Sequence, residues 1–299
     1  MAEVAISKGA PLHGNYHGYY TKRVFARDPR LALIPKDTFK NARVLDVGCN
    51  EGVVTCEVAQ LFHAREVIGV DIDDSLVRAA WKRRRTAWSQ WRPPPPASSG
   101  SDSRPSKRPK LAKEEDGTAE LDGINTYPSA FEHMFGPLPI PPSTSQTKSV
   151  FPHNISFRTA DWVNKGIVED TKLYDVVLAF SVSKWIHLND GDAGIVHFFS
   201  RAYDTLKPGD VFILEPQEIE SYAKAKRMDP KLKEVAKSLT LKPSPDFERI
   251  LVELGFERPE RLGSTGKGGE WTCELLDLYQ IRVQGFHRPV DMYRKPSTL

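Results

Sequence analysis

The sequence predicts an α/β fold: a doubly wound, mostly parallel sheet with an antiparallel C-terminal edge, interrupted by one long disordered insertion. Three observations predict it. Short strand patterns alternate with helical patterns on both sides of residues 92–149. The first strand runs into a glycine-bearing turn and then a helix. The last strand patterns follow one another with no helical pattern between them, which suits antiparallel pairing at an edge.

In chain order, the apolar run from Val44 opens the first strand, and Glu51–Leu61 has a helical pattern. Glu66–Val70 is the second strand and ends at Asp71. Asp74 and Ser75 are candidate caps for a helix over Leu76–Trp88. Beyond the insertion, Ile155–Arg158 reads as a short strand and Tyr174–Phe180 (YDVVLAF) as a buried one. A helix is expected over Gly194–Leu206, closed by Lys207, Pro208 and Gly209, followed by a strand over Val211–Leu214. Pro245–Leu254 is a helix ending at Gly255. Strands near Arg258–Leu262 and Leu276–Val283 form the antiparallel edge, to which Val290–Tyr293 adds.

Residues 92–149 read RPPPPASSGSDSRPSKRPKLAKEEDG and continue rich in Pro, Ser and Thr. Such a segment buries too little apolar surface to offset chain entropy. One domain is therefore expected from residues 1–91 and 150–299, with 92–149 inserted at a tolerant surface position.

The chain has 299 residues, 39% hydrophobic and 27% charged, the composition of a globular protein with a substantial core. A net charge of +3 is too small for a global basic field, so any nucleic-acid surface must be local. The three cysteines, Cys49, Cys56 and Cys273, form no C-x-x-C pair, which argues against a zinc site or a disulfide framework and favours a reducing compartment. No apolar run of about 18 residues predicts a membrane span, and the first residues lack the apolar core of a secretory signal.

The most informative string is VLDVGCNEG, Val44 to Gly52. Its glycines allow close backbone approach to a ligand at the carboxyl edge of the sheet. Alone it is as consistent with a plain turn. Asp71 at the tip of the next strand, where a carboxylate can accept both ribose hydroxyls of an adenosine, favours a ligand. The spacing Gly48-x-x-x-Gly52 differs from the G-x-G-x-x-G of dinucleotide sites, and nothing in it suggests a pyrophosphate cradle. Asp161 and Trp162 follow the short strand after the insertion; the carboxylate suits an adenine amino group and the neighbouring amide the ring edge, although Asp161 alone reads equally as a cap. Phe180 is placed to pack on adenosine or to fill the core.

GNYHGYY (Gly14–Tyr20), VLDVGCN, VFPHNISF, YDVVLAFSVSKWIHLNDGD, LKPG, LEPQ and GFHRPVDMYRK together resemble the Bicoid-interacting methyltransferases, in unchanged order across nearly everything outside the insertion. The resemblance implies a Rossmann-like class I methyltransferase that uses S-adenosyl-L-methionine, releases S-adenosyl-L-homocysteine and methylates the 5′-terminal phosphate of an RNA. Carried over by motif, it implies cofactor contacts at Tyr20, Arg30, Gly48, Cys49, Asn50, Asp71, Ile72, Asp161, Trp162 and Phe180, with Asp46 near the methionine amino group. Asp161-Trp162 departs from the Asn-Tyr of the capping branch while keeping an acceptor and an aromatic, and Asp210 follows Gly209 in place of a second glycine.

A phosphate oxygen is already anionic at neutral pH, so its methylation needs positioning more than a strong base. Lys184 and His187, just past a strand end, are expected to face the acceptor; Tyr16 and Tyr19 to close over the site; and Gln217, with Lys224 and Lys226, to contact phosphates or the first nucleotides. Lys224 and Lys226 read equally as a solvated face, and Trp185 as core. The basic runs Lys82–Arg85 and Ser103–Lys110 suit nuclear import, phosphate contact or plain solubility. The expected partners are an RNA with a 5′-phosphate end, a small nuclear RNA above others, and ribonucleoprotein components in the nucleus. Two other readings stay open: a protein or small-molecule methyltransferase, and a non-catalytic RNA-assembly factor of the same fold.

Overall fold

The structure is a computed structural model and describes residues 12–18, 20, 27–90, 134–265 and 288–297. Strands β1 (Arg43–Val47), β2 (Glu66–Asp71), β3 (Ile155–Thr159), β4 (Tyr174–Phe180), β5 (Leu206–Glu215), β6 (Glu260–Thr265) and β7 (Arg288–Arg294) form one sheet in the order β3-β2-β1-β4-β5-β7-β6. The first five are parallel; β7 runs antiparallel to both β5 and β6. Every residue of β1 is buried, as expected for a parallel strand covered on both faces. Strand order reverses at β1/β4, and ligands bind at the carboxyl edge of such a switch point.

The helices are α1 (Pro29–Leu33), α2 (Val53–Leu61), α3 (Asp74–Gln90), α4 (Trp162–Lys165), α5 (Ser183–Thr205), α6 (Tyr222–Ala225), α7 (Pro230–Ser238) and α8 (Asp246–Glu253). Phe198 and Phe199 of α5 and Phe247 and Leu251 of α8 pack with Val177 and Phe212 in the main core. A smaller cluster gathers Trp185, Leu188, Tyr222, Ala225 and Leu232 around α5, α6 and α7.

Several expectations change. Helix α5 begins at Ser183, eleven residues before the expected start, because SKWIHLND is itself helical. Gly191, at φ 69° and ψ −166°, kinks it, so the expected helix is only its second half. The LKPG segment opens β5 rather than closing a helix, with Gly209 at φ 87°. The cap of α3 is Asp73, whose Oδ1 accepts from Ser75 N at 2.8 Å, not Asp74 or Ser75. The antiparallel edge is made by β6 and β7, while residues 276–283 lie outside the described residues.

The chain divides into two compact units, residues 1–84 with 142–299, and 85–141. Of the expected insertion, 92–133 lies outside the described residues, and 142–149 belongs to the first unit. In the second unit Ser89 Oγ donates to Arg85 O at 2.9 Å and accepts from Leu138 N at 2.6 Å.

Candidate active site

The turn after β1 is shaped for close approach. Gly48 and Gly52 have φ of 75° and 72°. A Cβ on Gly48 would meet Val182 Cγ2 at 2.9 Å, and one on Gly52 would meet Ala80 and Phe157 at 2.8 and 2.9 Å. The turn's amides are already occupied. Gly48 N and Cys49 N donate to Val70 O, Asn50 N to Asp71 Oδ2, Glu51 N to Asn50 Oδ1 and Gly52 N to Cys49 O. A pyrophosphate cradle needs free amides, so the turn suits a ligand read by carboxylates and shape. Cys49 offers little to a ligand through its side chain, because the thiol is buried and burial pushes its pKa up.

Asp71 is held at the tip of β2 by Asn50 N on Oδ2 (2.9 Å) and Asp73 N on Oδ1 (3.0 Å). Each oxygen keeps a lone pair for a further donor. Burial raises its pKa, against those two N–H donors. Gly48, Asp71, Ile72, Asp161 and Trp162 line one cavity of about 110 Å³ with Val182. Ile72, 41% exposed, offers an apolar flank. Asp161 caps α4, accepting from Asn164 N at 3.2 Å and Asn164 Nδ2 at 2.9 Å, so both of its weighed roles fall in one place. The Trp162 ring is core: its Nε1 donates to Asp170 and it packs edge-on against Phe198.

A second cluster lies under the sheet edge. Arg30 is buried between Asp28 (2.6 Å) and Glu215 (2.9 Å), and donates to Tyr20 OH at 3.1 Å. Its guanidinium sits 4.5 Å above the Phe180 ring. Phe180 is buried and also belongs to this charge cluster, with the cation over one face of its ring. Asp46 is buried at the end of β1, accepts from Thr55 Oγ1 at 2.6 Å, and burial pushes its pKa up to about 6 against that bond.

The residues expected to face an acceptor gather around the first turn of α5. Ser181, at φ 58°, ends β4 in a left-handed conformation; its hydroxyl donates to Glu215 Oε2 at 2.5 Å and accepts from Arg288 Nη1 at 2.7 Å. Gln217 is buried: Oε1 accepts from Ser183 Oγ and Lys184 N (3.0 Å), and Nε2 donates to Ser181 O. It positions Lys184 through Oε1 and is tied to Ser181 O by one of its two amide N–H groups. His187 is a correction to its expected role. It is 0% exposed, with Nδ1 on Tyr222 OH at 3.2 Å and Nε2 on Asp192 at 2.7 Å, so it braces the helix instead of facing an acceptor. Lys184 has no carboxylate partner among the described residues; its Nζ lies 4.8 Å from the Trp185 ring centre. Burial, and then the Arg288 and Lys224 charges, pull its pKa down to about 8. Arg288 was quoted only within a motif and given no role by sequence reasoning; the antiparallel return of β7 carries it there.

Residues 12–18 are tied to both sides of the site. Asn15 Nδ2 donates to Asp73 at 2.6 Å, Gly18 N to Glu51 at 2.9 Å, and Asn189 Nδ2 to Leu12 O at 2.8 Å. Tyr16 packs edge-on to Trp185 at 5.8 Å. His13 lines the same cavity as Asp71, which no motif reading had singled out. Tyr19 lies outside the described residues.

A family model described as Bicoid-interacting protein 3 (Bin3) matches residues 174–295. The chain is similar to the 7SK snRNA methylphosphate capping enzyme of Homo sapiens, 32% identical over 292 residues, covering 95% of this chain and 39% of that protein's length. It is 31% identical over 259 residues to a protein of Arabidopsis thaliana named a probable RNA methyltransferase, covering 85% of this chain and 76% of that one. An O-methyltransferase family protein from Burkholderia thailandensis shares the fold at 9% identity, with a TM-score of 0.50 over 91% of this chain and 56% of that one.

Proposed function

The chain belongs to the Bicoid-interacting protein 3 family, and on that premise we propose that it is an S-adenosyl-L-methionine-dependent methyltransferase acting on the 5′-terminal phosphate of a small non-coding RNA. The observation that supports the acceptor is Lys184, in the first turn of α5, with no carboxylate partner among the described residues and with the Arg288 and Lys224 charges acting on it.

The groups lining the cleft match those of the cofactor in kind. S-adenosyl-L-methionine, when bound, supplies an electrophilic methyl group on a sulfonium. In this reading Asp71 accepts the ribose hydroxyls, Asp161 the adenine amino group, and Ile72 flanks the ring, which their shared cavity supports; Gly48 keeps the backbone close. Asp46 is the carboxylate for the methionine ammonium, whose charge would offset its burial. Arg30 and Tyr20 act from behind, holding Glu215 and, through it, Ser181.

The acceptor oxygen carries its own charge, so no residue needs to remove a proton from it. Lys184 and Arg288 hold the phosphate in line by charge-assisted hydrogen bonds, and Gln217 fixes the helix turn that presents Lys184. Three cations suit a multiply charged end, which favours a triphosphate, methylated at the γ position, over a monophosphate. The capping activity in the human relative's name supports the same reading. A small nuclear RNA acceptor, ribonucleoprotein partners and a nuclear location follow as parts of this proposal.

The test uses labelled S-adenosyl-L-methionine and one small RNA carrying a 5′-triphosphate, 5′-monophosphate or 5′-hydroxyl. Label on the terminal phosphate of the triphosphate RNA, resistant to a phosphomonoesterase, released by a pyrophosphatase that cuts the phosphoanhydride, and absent from the hydroxyl RNA, is the expected result. Transfer to protein alone, or none with cofactor binding intact, refutes it.

A further inference from the structure

A second cavity, of about 410 Å³, shares no lining residue with the cleft beside Asp71. Its floor is the face of β7 that carries Pro289, Asp291 and Tyr293, alternate residues that point the same way. The register places Asp291 opposite Leu214 on β5 and Arg261 on β6. The segment after β5 and the entry to α8 complete the walls.

The lining is acidic. Glu218, Glu220, Glu248 and Asp291 face a single cation, Arg261, which is already engaged by Glu248 and by Asp291 Oδ2. Asp291 is only 3% exposed, and its Oδ1 has no hydrogen-bond partner among the described residues. A buried carboxylate oxygen without a donor is costly, and native structures leave few of them. Burial raises the Asp291 pKa, against the Arg261 bond, so this carboxylate gains from a second cation. The first turn of α8 borders the cavity, and its partial positive charge is offset by Asp246 and Glu248 in that turn.

We propose that this cavity docks an arginine side chain carried by an extended segment of a partner protein. The excess of carboxylates excludes a phosphate backbone. A guanidinium supplies the donor that Asp291 Oδ1 lacks. Pro216, Pro243, Phe247 and Tyr293 form apolar walls suited to a planar, weakly hydrated cation and its stem. The volume exceeds one side chain, which leaves room for the flanking residues of an extended peptide. The site is independent of the methyl-transfer reading.

The probe is acetyl-Gly-Arg-Gly-amide, titrated into the full chain and followed by amide chemical shifts, with the citrulline peptide and free argininamide as comparators. Saturable shifts confined to residues 216–220, 243–248, 261 and 289–293 are expected, with citrulline at least tenfold weaker. Asp291→Asn should weaken binding about thirtyfold or more, as for a buried charge pair. Glu220→Gln, at an exposed position that does not endanger folding, should weaken it about two- to fivefold in a salt-dependent way. S-adenosyl-L-homocysteine affinity, measured alongside, should be unchanged in Glu220→Gln. Absence of saturable shifts, equal binding of the citrulline peptide, equal binding of argininamide, or the same shifts from a 5′-phosphorylated RNA would each overturn the proposal.

Discussion

Lys184→Met should stabilise the protein while removing its activity. The ammonium sits at 9% residue exposure with two cations nearby and no carboxylate partner among the described residues, and its pKa falls from 10.5 to about 8. At about 1.4 kcal/mol per pKa unit, holding the charge there costs roughly 3 kcal/mol. Residual solvent contact screens this to about 2 kcal/mol. Methionine keeps the stem and drops the charge, so the melting temperature at pH 7 should rise by roughly 4–8 °C. The sign follows from linkage. A lysine whose folded pKa lies below its unfolded value is charged in both states below pH 8, where the full penalty applies. Between pH 8 and 10.5 the unfolded chain binds more protons, so wild-type stability rises with pH and the penalty disappears. The gain from Lys184→Met should therefore be largest below pH 8 and vanish near pH 10.5. Thermal denaturation of both proteins between pH 7 and 10 measures it, with phosphate transfer falling about 10²–10³-fold in parallel. A melting temperature that drops at pH 7, or a difference that does not change with pH, would refute the picture of an unpaired cation held for an anionic acceptor.

Three further outcomes are expected. Asp71→Asn should raise the dissociation constant for S-adenosyl-L-homocysteine by about 10–100-fold, since charge-assisted bonds to ribose are worth about 1.5–3 kcal/mol; calorimetry giving a change under threefold would remove Asp71 from the cofactor site. Arg30→Met should destabilise the fold by about 3–5 kcal/mol in urea denaturation, because it leaves Asp28 and Glu215 buried together without their cation; a loss below 1 kcal/mol would mean the cluster relaxes into water. In the wild type, kcat/KM for RNA should fall as pH rises through about 8, where free Lys184 loses its proton. That limb should be absent in Lys184→Arg if the variant retains measurable activity.

The sheet was legible because its signals are local. A fully apolar β1, an Asp at the end of β2, and YDVVLAF each state their burial in a few residues, and β4 spans the very residues expected. The start of α5 was not legible. The cap of α5 is Val182, which makes no side-chain cap bond, and Gly191 made the two halves look like a connection followed by a helix. The glycine turn and Asp71 were visible as a pair, since strand order places them side by side. What the turn's amides do was not visible, because Val70 O, which accepts two of them, belongs to another strand.

The sequence by itself determined the α/β class, the glycine turn at the carboxyl edge and the family, all carried by contiguous residues whose periodicity and turn chemistry act locally. Only the tertiary structure decided which polar groups remain free. Gln217 and His187 look as available as Lys184 in one dimension, yet each is buried and held by partners more than thirty residues away or across a helix kink. Arg288 joins Lys184 because an antiparallel strand returns it across about a hundred residues of chain. Hydrogen bonding is satisfied pair by pair, and long-range pairs exist only once the sheet has set their distances.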